Sequence, residues 1–110
     1  FSKARAAGLE PGDWRSRSRD FQGERLEKNL ALADALKPIA NRHTTTVAAV
    51  AVAWTLAWPG VTGAIVGARS PSQVDGWIDA ASFKLDEQDV REIADAIEAT
   101  GAGQGPVRAA

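Results

Sequence analysis

The chain has no cysteine, no methionine and no tyrosine, and only one histidine, His43, among its 110 residues. Without cysteine there is no disulfide framework, no thiolate nucleophile and no cysteine-ligated zinc site, and one imidazole is too few for a histidine-based metal cluster. Long apolar runs are lacking as well. The longest, residues 47–58, is interrupted by Thr55 and ends at Pro59, short of the ~18 apolar residues that a membrane span requires. No membrane partner is expected. The chain opens at Phe1 on a sequence that reads as interior, so any targeting peptide would lie outside it, and a cytoplasmic location is the working expectation.

What is present is ordinary for a folded chain: 45% hydrophobic and 25% charged residues, which argues against disorder over most of its length. The net charge of -1 conceals an asymmetry. Residues 1–25 carry six basic and four acidic groups, whereas residues 70–100 carry two basic and eight acidic ones. A nucleic-acid surface over the whole chain is excluded on that ground, because phosphate neutralisation needs clustered Lys and Arg. The carboxylates Asp86, Glu87, Asp89 and Glu92 read as solvated groups that favour a helix start.

Residues 1–23, with Gly8, Pro11, Gly12 and Gly23 and no apolar period, predict a long loop with at most a short helical turn near its start. From Glu24 the spacing of Leu26, Leu30, Ala33, Leu36 and Ala40 predicts one helix to about Arg42, kinked but not broken at Pro38. Thr44–Thr46 can cap a second helix through Ala57, which Pro59 and Gly60 stop. Val61–Val66 is β-branched and apolar and predicts a buried strand. Ser70-Pro71-Ser72-Gln73 then opens a helix that turns Val74, Trp77, Ile78 and Ala81 inward. A last helix starts at the cap Asp86, buries Val90, Ile93, Ala94 and Ile97, and ends at Gly101; the tail 102–110 reads as loose.

A single buried strand leaves its amides and carbonyls without partners, at about 1–3 kcal/mol for each buried orphan. The order helix, helix, strand, helix, helix is that of the end of an alternating β/α protein. The chain is therefore expected to be a fragment, mainly helical with one short strand, that self-associates through its unpaired strand and apolar helix faces.

The run Ile65-Val66-Gly67-Ala68-Arg69-Ser70-Pro71-Ser72-Gln73 resembles the last barrel strand and following helix of aldo-keto reductases. Trp14-Arg15-Ser16-Arg17 with Phe21 resembles the family's long loop after the seventh strand. Val52-Ala53-Trp54 with Pro59-Gly60-Val61-Thr62 resembles its seventh helix and the run into the eighth strand. The resemblance implies the C-terminal segment of a (β/α)8 TIM barrel, residues 1–110 being one part of a single domain. It also implies an NADPH-dependent oxidoreductase that reduces a small aldehyde or ketone. On this resemblance Gly67, Ala68, Arg69, Ser70 and Gln73 would hold the adenosine-phosphate end of NADPH: Gly67 by close backbone approach, Arg69 by a bidentate grip on the 2'-phosphate, Ser70 through its hydroxyl. The family's Asp, Tyr, Lys and His lie on earlier strands, so no catalytic residue carries over. Trp77 stands where many members have an Asn that contacts adenine.

Two other readings stay open. Ser70-Pro71-Ser72-Gln73 is first of all a capping box, and Arg69 an exposed loop residue, if the family match is set aside. Residues 36–52 also resemble a DNA-binding helix-turn-helix, although the second helix offers almost no side chain able to read a base or bind phosphate, and the open strand edge and apolar helix faces leave a helical interaction module without enzymatic activity as a further alternative. His43 reads as a helix C-terminal group without chemistry, and Trp54, Trp58 and Trp77 as core. Trp14, in a polar loop, is the aromatic free to lean over substrate or cofactor.

Overall fold

The computed structural model describes residues 1–109. Its elements are α1 (Lys3–Ala7), α2 (Gly23–Ala35), α3 (Lys37–Arg42), α4 (Val47–Leu56), α5 (Pro71–Asp75) and α6 (Glu87–Thr100), with single 3-10 turns at Trp14–Arg17, Arg19–Phe21 and Ile78–Ala81. The starts of α4 and α6 follow local chemistry. Thr46 caps α4 by accepting the Ala49 amide at 3.0 Å. Asp86 and Asp89 form a reciprocal capping box on α6, and Gly101, at φ 64°, closes it in the left-handed conformation that disfavours a side chain.

The core is small and made by α3, α4 and α6. Leu36, Ile39, Ala40, Val50 and Ile93 form one buried cluster, edged by Leu32, Val47, Trp54, Phe83, Leu85 and Ile97. Ala49, Ala53 and Ala80 form a second one, where small side chains let α4 approach the turn at Ile78–Ala81. Burying a side chain such as Ile39 contributes about 1.5–3 kcal/mol.

Several expectations are corrected. The single helix to Arg42 is two, α2 and α3, separated at Leu36: Pro38 has no amide and its ring opposes the carbonyl of Asp34, so the chain restarts a helix with proline in its first turn. The predicted strand at Val61–Val66 does not form. Among the described residues, 62–68 make no backbone hydrogen bond, and Ile65 is fully exposed. A lone strand has no ladder to join, so the segment stays extended and unpaired. The mainly helical expectation therefore holds without its strand.

The helix after Ser70 is only five residues long. The Thr46 hydroxyl donates to the Gly76 carbonyl and diverts it, and the chain continues as a 3-10 turn. The change from 3.6 to 3.0 residues per turn moves the inward face: Ala80 is buried while Ile78 and Ala81 are exposed. The short helical turn expected near the start of residues 1–23 is α1, and two 3-10 turns organise the loop that follows it. The tail is not loose throughout. Ala102 is buried, and Arg108 reaches Asp95 at 2.6 Å and Glu98 at 3.6 Å; Ala110, its last residue, lies outside the described residues.

Asp89 was expected in solvent and is instead fully buried. Its carboxylate accepts from Arg42 Nε at 3.2 Å, His43 Nε2 at 2.6 Å and the Asp86 amide at 3.0 Å. Arg42 also reaches Glu92 at 2.8 Å, and Phe83 stacks on His43 with ring centroids 5.0 Å apart. Burial pushes the Asp89 carboxyl up, but the bonds from Arg42, His43 and Asp86 outweigh it and hold the group below its ordinary range. His43, read as a bare helix end, is thus one side of the joint between α3 and α6.

Candidate functional site

The extended segment 62–68 leads directly into α5, and the turn between them faces residues from the first 23. A pocket of about 450 Å³ lies there, lined by Arg5, Trp14, Arg15, Gly67, Ala68, Arg69 and Gln73. Four of the five residues assigned from sequence are brought together. Ser70 is the exception: it does not line the pocket, its hydroxyl lies 3.0 Å from that of Ser72, and it makes no side-chain capping bond to α5. The capping role is taken one residue earlier, where Gln73 Oε1 accepts the Arg69 amide at 2.7 Å and draws the turn tight.

Arg5, Trp14 and Arg15 are the residues that reading along the chain did not join to this turn. Asp13 organises the last two. Its carboxylate accepts the Arg15 amide at 3.0 Å and Arg15 Nε at 2.9 Å, while its carbonyl accepts the Ser16 hydroxyl at 2.7 Å. Gln22 closes the loop by donating to the Ser16 carbonyl. The hydrogen bond from the Arg15 side chain, with its charge and that of Arg69 nearby, holds the Asp13 carboxyl far below its usual range. Asp at a cap position two residues before Arg was the one local signal for this clamp.

Trp14 makes a T-shaped contact with Phe21, with centroids 5.5 Å apart, is 57% exposed and lines the pocket. Phe21 in turn meets Phe1 at 5.1 Å, and the guanidinium groups of Arg5 and Arg15 lie 5.9 and 5.6 Å from the Phe1 ring centre. Three arginines and one tryptophan are therefore among the residues that line the pocket. Only Arg15 is neutralised: among the described residues neither Arg5 nor Arg69 pairs with a carboxylate.

These residues fit the phosphate-bearing end of a nucleotide. A Cβ built at Gly67 meets nothing within 4 Å, so the backbone there is open to close approach. Two unpaired guanidiniums supply planar, charge-assisted donors to a phosphate. A larger pocket of about 690 Å³, between α2 and residues 101–104, is a weaker anion site, because its Arg25 and Lys28 are paired with Asp20 and Glu24. The described residues contain no cluster of metal-ligating side chains and no helix long and apolar enough to cross a membrane.

Comparison with known proteins places the same residues in one family. The profile of the Aldo/keto reductase family matches residues 2–98. The chain is 35% identical over 77 residues to "Probable aldo-keto reductase 1" of Glycine max, covering 70% of this chain and 22% of that protein. It is 30% identical over 91 residues to the "NADH-specific methylglyoxal reductase" of Escherichia coli (strain K12), covering 80% and 28%. It is also 30% identical over 93 residues to "Aldo-keto reductase YhdN" of Bacillus subtilis (strain 168), covering 84% and 28%. No solved structure matches. The chain spans between 22% and 28% of the length of these curated relatives. With most of its residues matched, the chain belongs to the aldo-keto reductase family.

Proposed function

We propose that this chain works as the C-terminal part of a (β/α)8 barrel oxidoreductase acting on aldehydes or ketones, where it grips the adenosine-phosphate end of NADPH. The observation that carries the proposal is the meeting in one pocket of Arg5 and Arg69, neither in an ion pair among the described residues, with the open backbone at Gly67. Family membership supports the barrel and the carbonyl substrate class. A bound nicotinamide would supply hydride to the carbonyl carbon of the substrate. This chain's own share is binding: Arg69 and Arg5 offset the phosphate charge, and Gln73 holds the turn that carries Arg69.

The chain contributes no catalytic residue to that reaction. It contains no tyrosine, so the proton donor that the family resemblance implies comes from other strands of the barrel. By itself the 110-residue chain is expected to turn over no carbonyl and to hold NADPH weakly. A soluble, cytoplasmic setting is part of the proposal.

Preference for NADPH over NADH rests on Arg69 and is the point to test, because one 30% identical relative is named as NADH-specific. In the complete barrel, Arg69→Ala should weaken NADPH binding by about tenfold or more, the scale of one charge-assisted hydrogen bond, and leave NADH binding nearly unchanged. Equal loss for both cofactors in a binding titration overturns the 2'-phosphate role. A helix-turn-helix reading gains nothing from the structure: α4 buries Ala49, Val50 and Ala53 and turns Ala48, Ala51 and Thr55 outward, none of them a phosphate-binding cation.

A further inference from the structure

We infer that Trp14 is the platform on which the purine ring of the adenosine-phosphate ligand stacks. This inference rests on the reading of the pocket as an adenosine-phosphate site and deepens it by naming what holds the base. Trp77 occupies the position from which an adenine contact would be expected along α5, and it is turned away from the pocket. It lies beyond the end of α5, is half-buried, and its Nε1 is enclosed without a hydrogen-bond partner. No other side chain of α5 that lines the pocket is flat and apolar; Gln73 is committed to the Arg69 amide.

Trp14 supplies what is missing. It lines the same pocket as Arg69 and Gln73, is 57% exposed, and is the only aromatic ring there. A T-shaped contact with Phe21, planes at 89°, holds the indole in place, and the Asp13 clamp holds the backbone on either side of it. An indole beside Arg5 and Arg69, neither of them in an ion pair among the described residues, is the chemistry of a base joined to a phosphate: the ring binds a π-face of any purine, and the cations bind the charge. Arg15, neutralised by Asp13, serves to place the loop and adds little net charge.

The test uses the complete barrel and adenosine 2',5'-bisphosphate, a ligand that carries the base and the phosphates but no nicotinamide. Calorimetric titration should show Trp14→Ala weakening its affinity by about tenfold, the usual effect of deleting a stacking ring, with most of the affinity restored in Trp14→Phe. Should Trp14→Ala fail to fold, Trp14→Leu against Trp14→Phe makes the same comparison of ring with no ring. Affinity unchanged without the ring, or a loss that Trp14→Phe does not recover, overturns the assignment. Arg69→Ala separates the two levels of the argument. If it loses affinity while Trp14→Ala does not, only the stacking role fails; if neither variant changes affinity, the phosphate reading of the pocket fails with it.

Discussion

Asp89 shows how much one residue can decide. It is fully buried in a chain whose core is small, and it ties α6 to Arg42 and His43 of the preceding helix pair. Arg42→Ala would leave that carboxylate buried with fewer donors. The variant is expected to melt at a lower temperature than the wild type, by less than the loss of a wholly enclosed pair would cause, because the Arg42 side chain is 41% exposed. The pH dependence has a definite sign. A carboxyl held below its ordinary value of 3.8 stabilises the fold above that pH, and the contribution disappears as pH falls through the lower folded-state value. Melting curves of wild type and Asp89→Asn should therefore differ most near neutral pH and converge in acid. A gap that stays constant down to the acid limit would show that the charge of Asp89 contributes nothing.

Among elements, helices declared themselves where their ends carry their own chemistry. Thr46, Asp86, Asp89 and Gly101 are all local signals, and α4 begins, and α6 begins and ends, where those signals lie. The break at Pro38 was visible in kind but not in degree, since a kink and a restart differ by one residue at Leu36. The strand was not decided locally at all. Val61–Val66 has the right side chains, but a strand exists only through a partner's hydrogen bonds, and none of the described residues supplies one. Hydrogen exchange should find the amides of 62–68 unprotected in this chain and strongly protected in the complete barrel. Protection of these amides in the dilute chain would mean that the segment has found a ladder after all.

On the scale of the molecule, the pocket depends on chain ends that sequence patterns do not connect. Gly67, Ala68, Arg69 and Gln73 were legible because they are neighbours in one turn. Arg5, Trp14 and Arg15 meet them across more than 50 positions, and Asp89 meets Arg42 across 47. Pairings of that span are made by packing and leave no local period. Ile65 is fully exposed, with Val61 and Ile78 at 38% and 50%, and we propose that the chain self-associates to cover such side chains. Sedimentation should show mass rising with concentration, and Ile65→Glu should suppress the rise, because a charge at that position opposes burial of the exposed apolar side chain against a second copy. A chain that stays monomeric at high concentration would count against this.

The loop at 13–22, held by Asp13, Ser16 and Gln22, has a thermodynamic meaning as well as a geometric one. A loop that is already folded loses little freedom when a ligand settles against Trp14, so less of the binding free energy is spent on ordering. Gln22 lies outside the pocket lining and is uncharged, so Gln22→Ala loosens the loop without changing what touches the ligand. Its affinity for adenosine 2',5'-bisphosphate should fall about two- to fivefold, with the loss appearing in the entropy of binding and the enthalpy nearly retained. The same internal bonds that look like simple loop closure would then set how tightly a cofactor is held at a distance from any atom it touches.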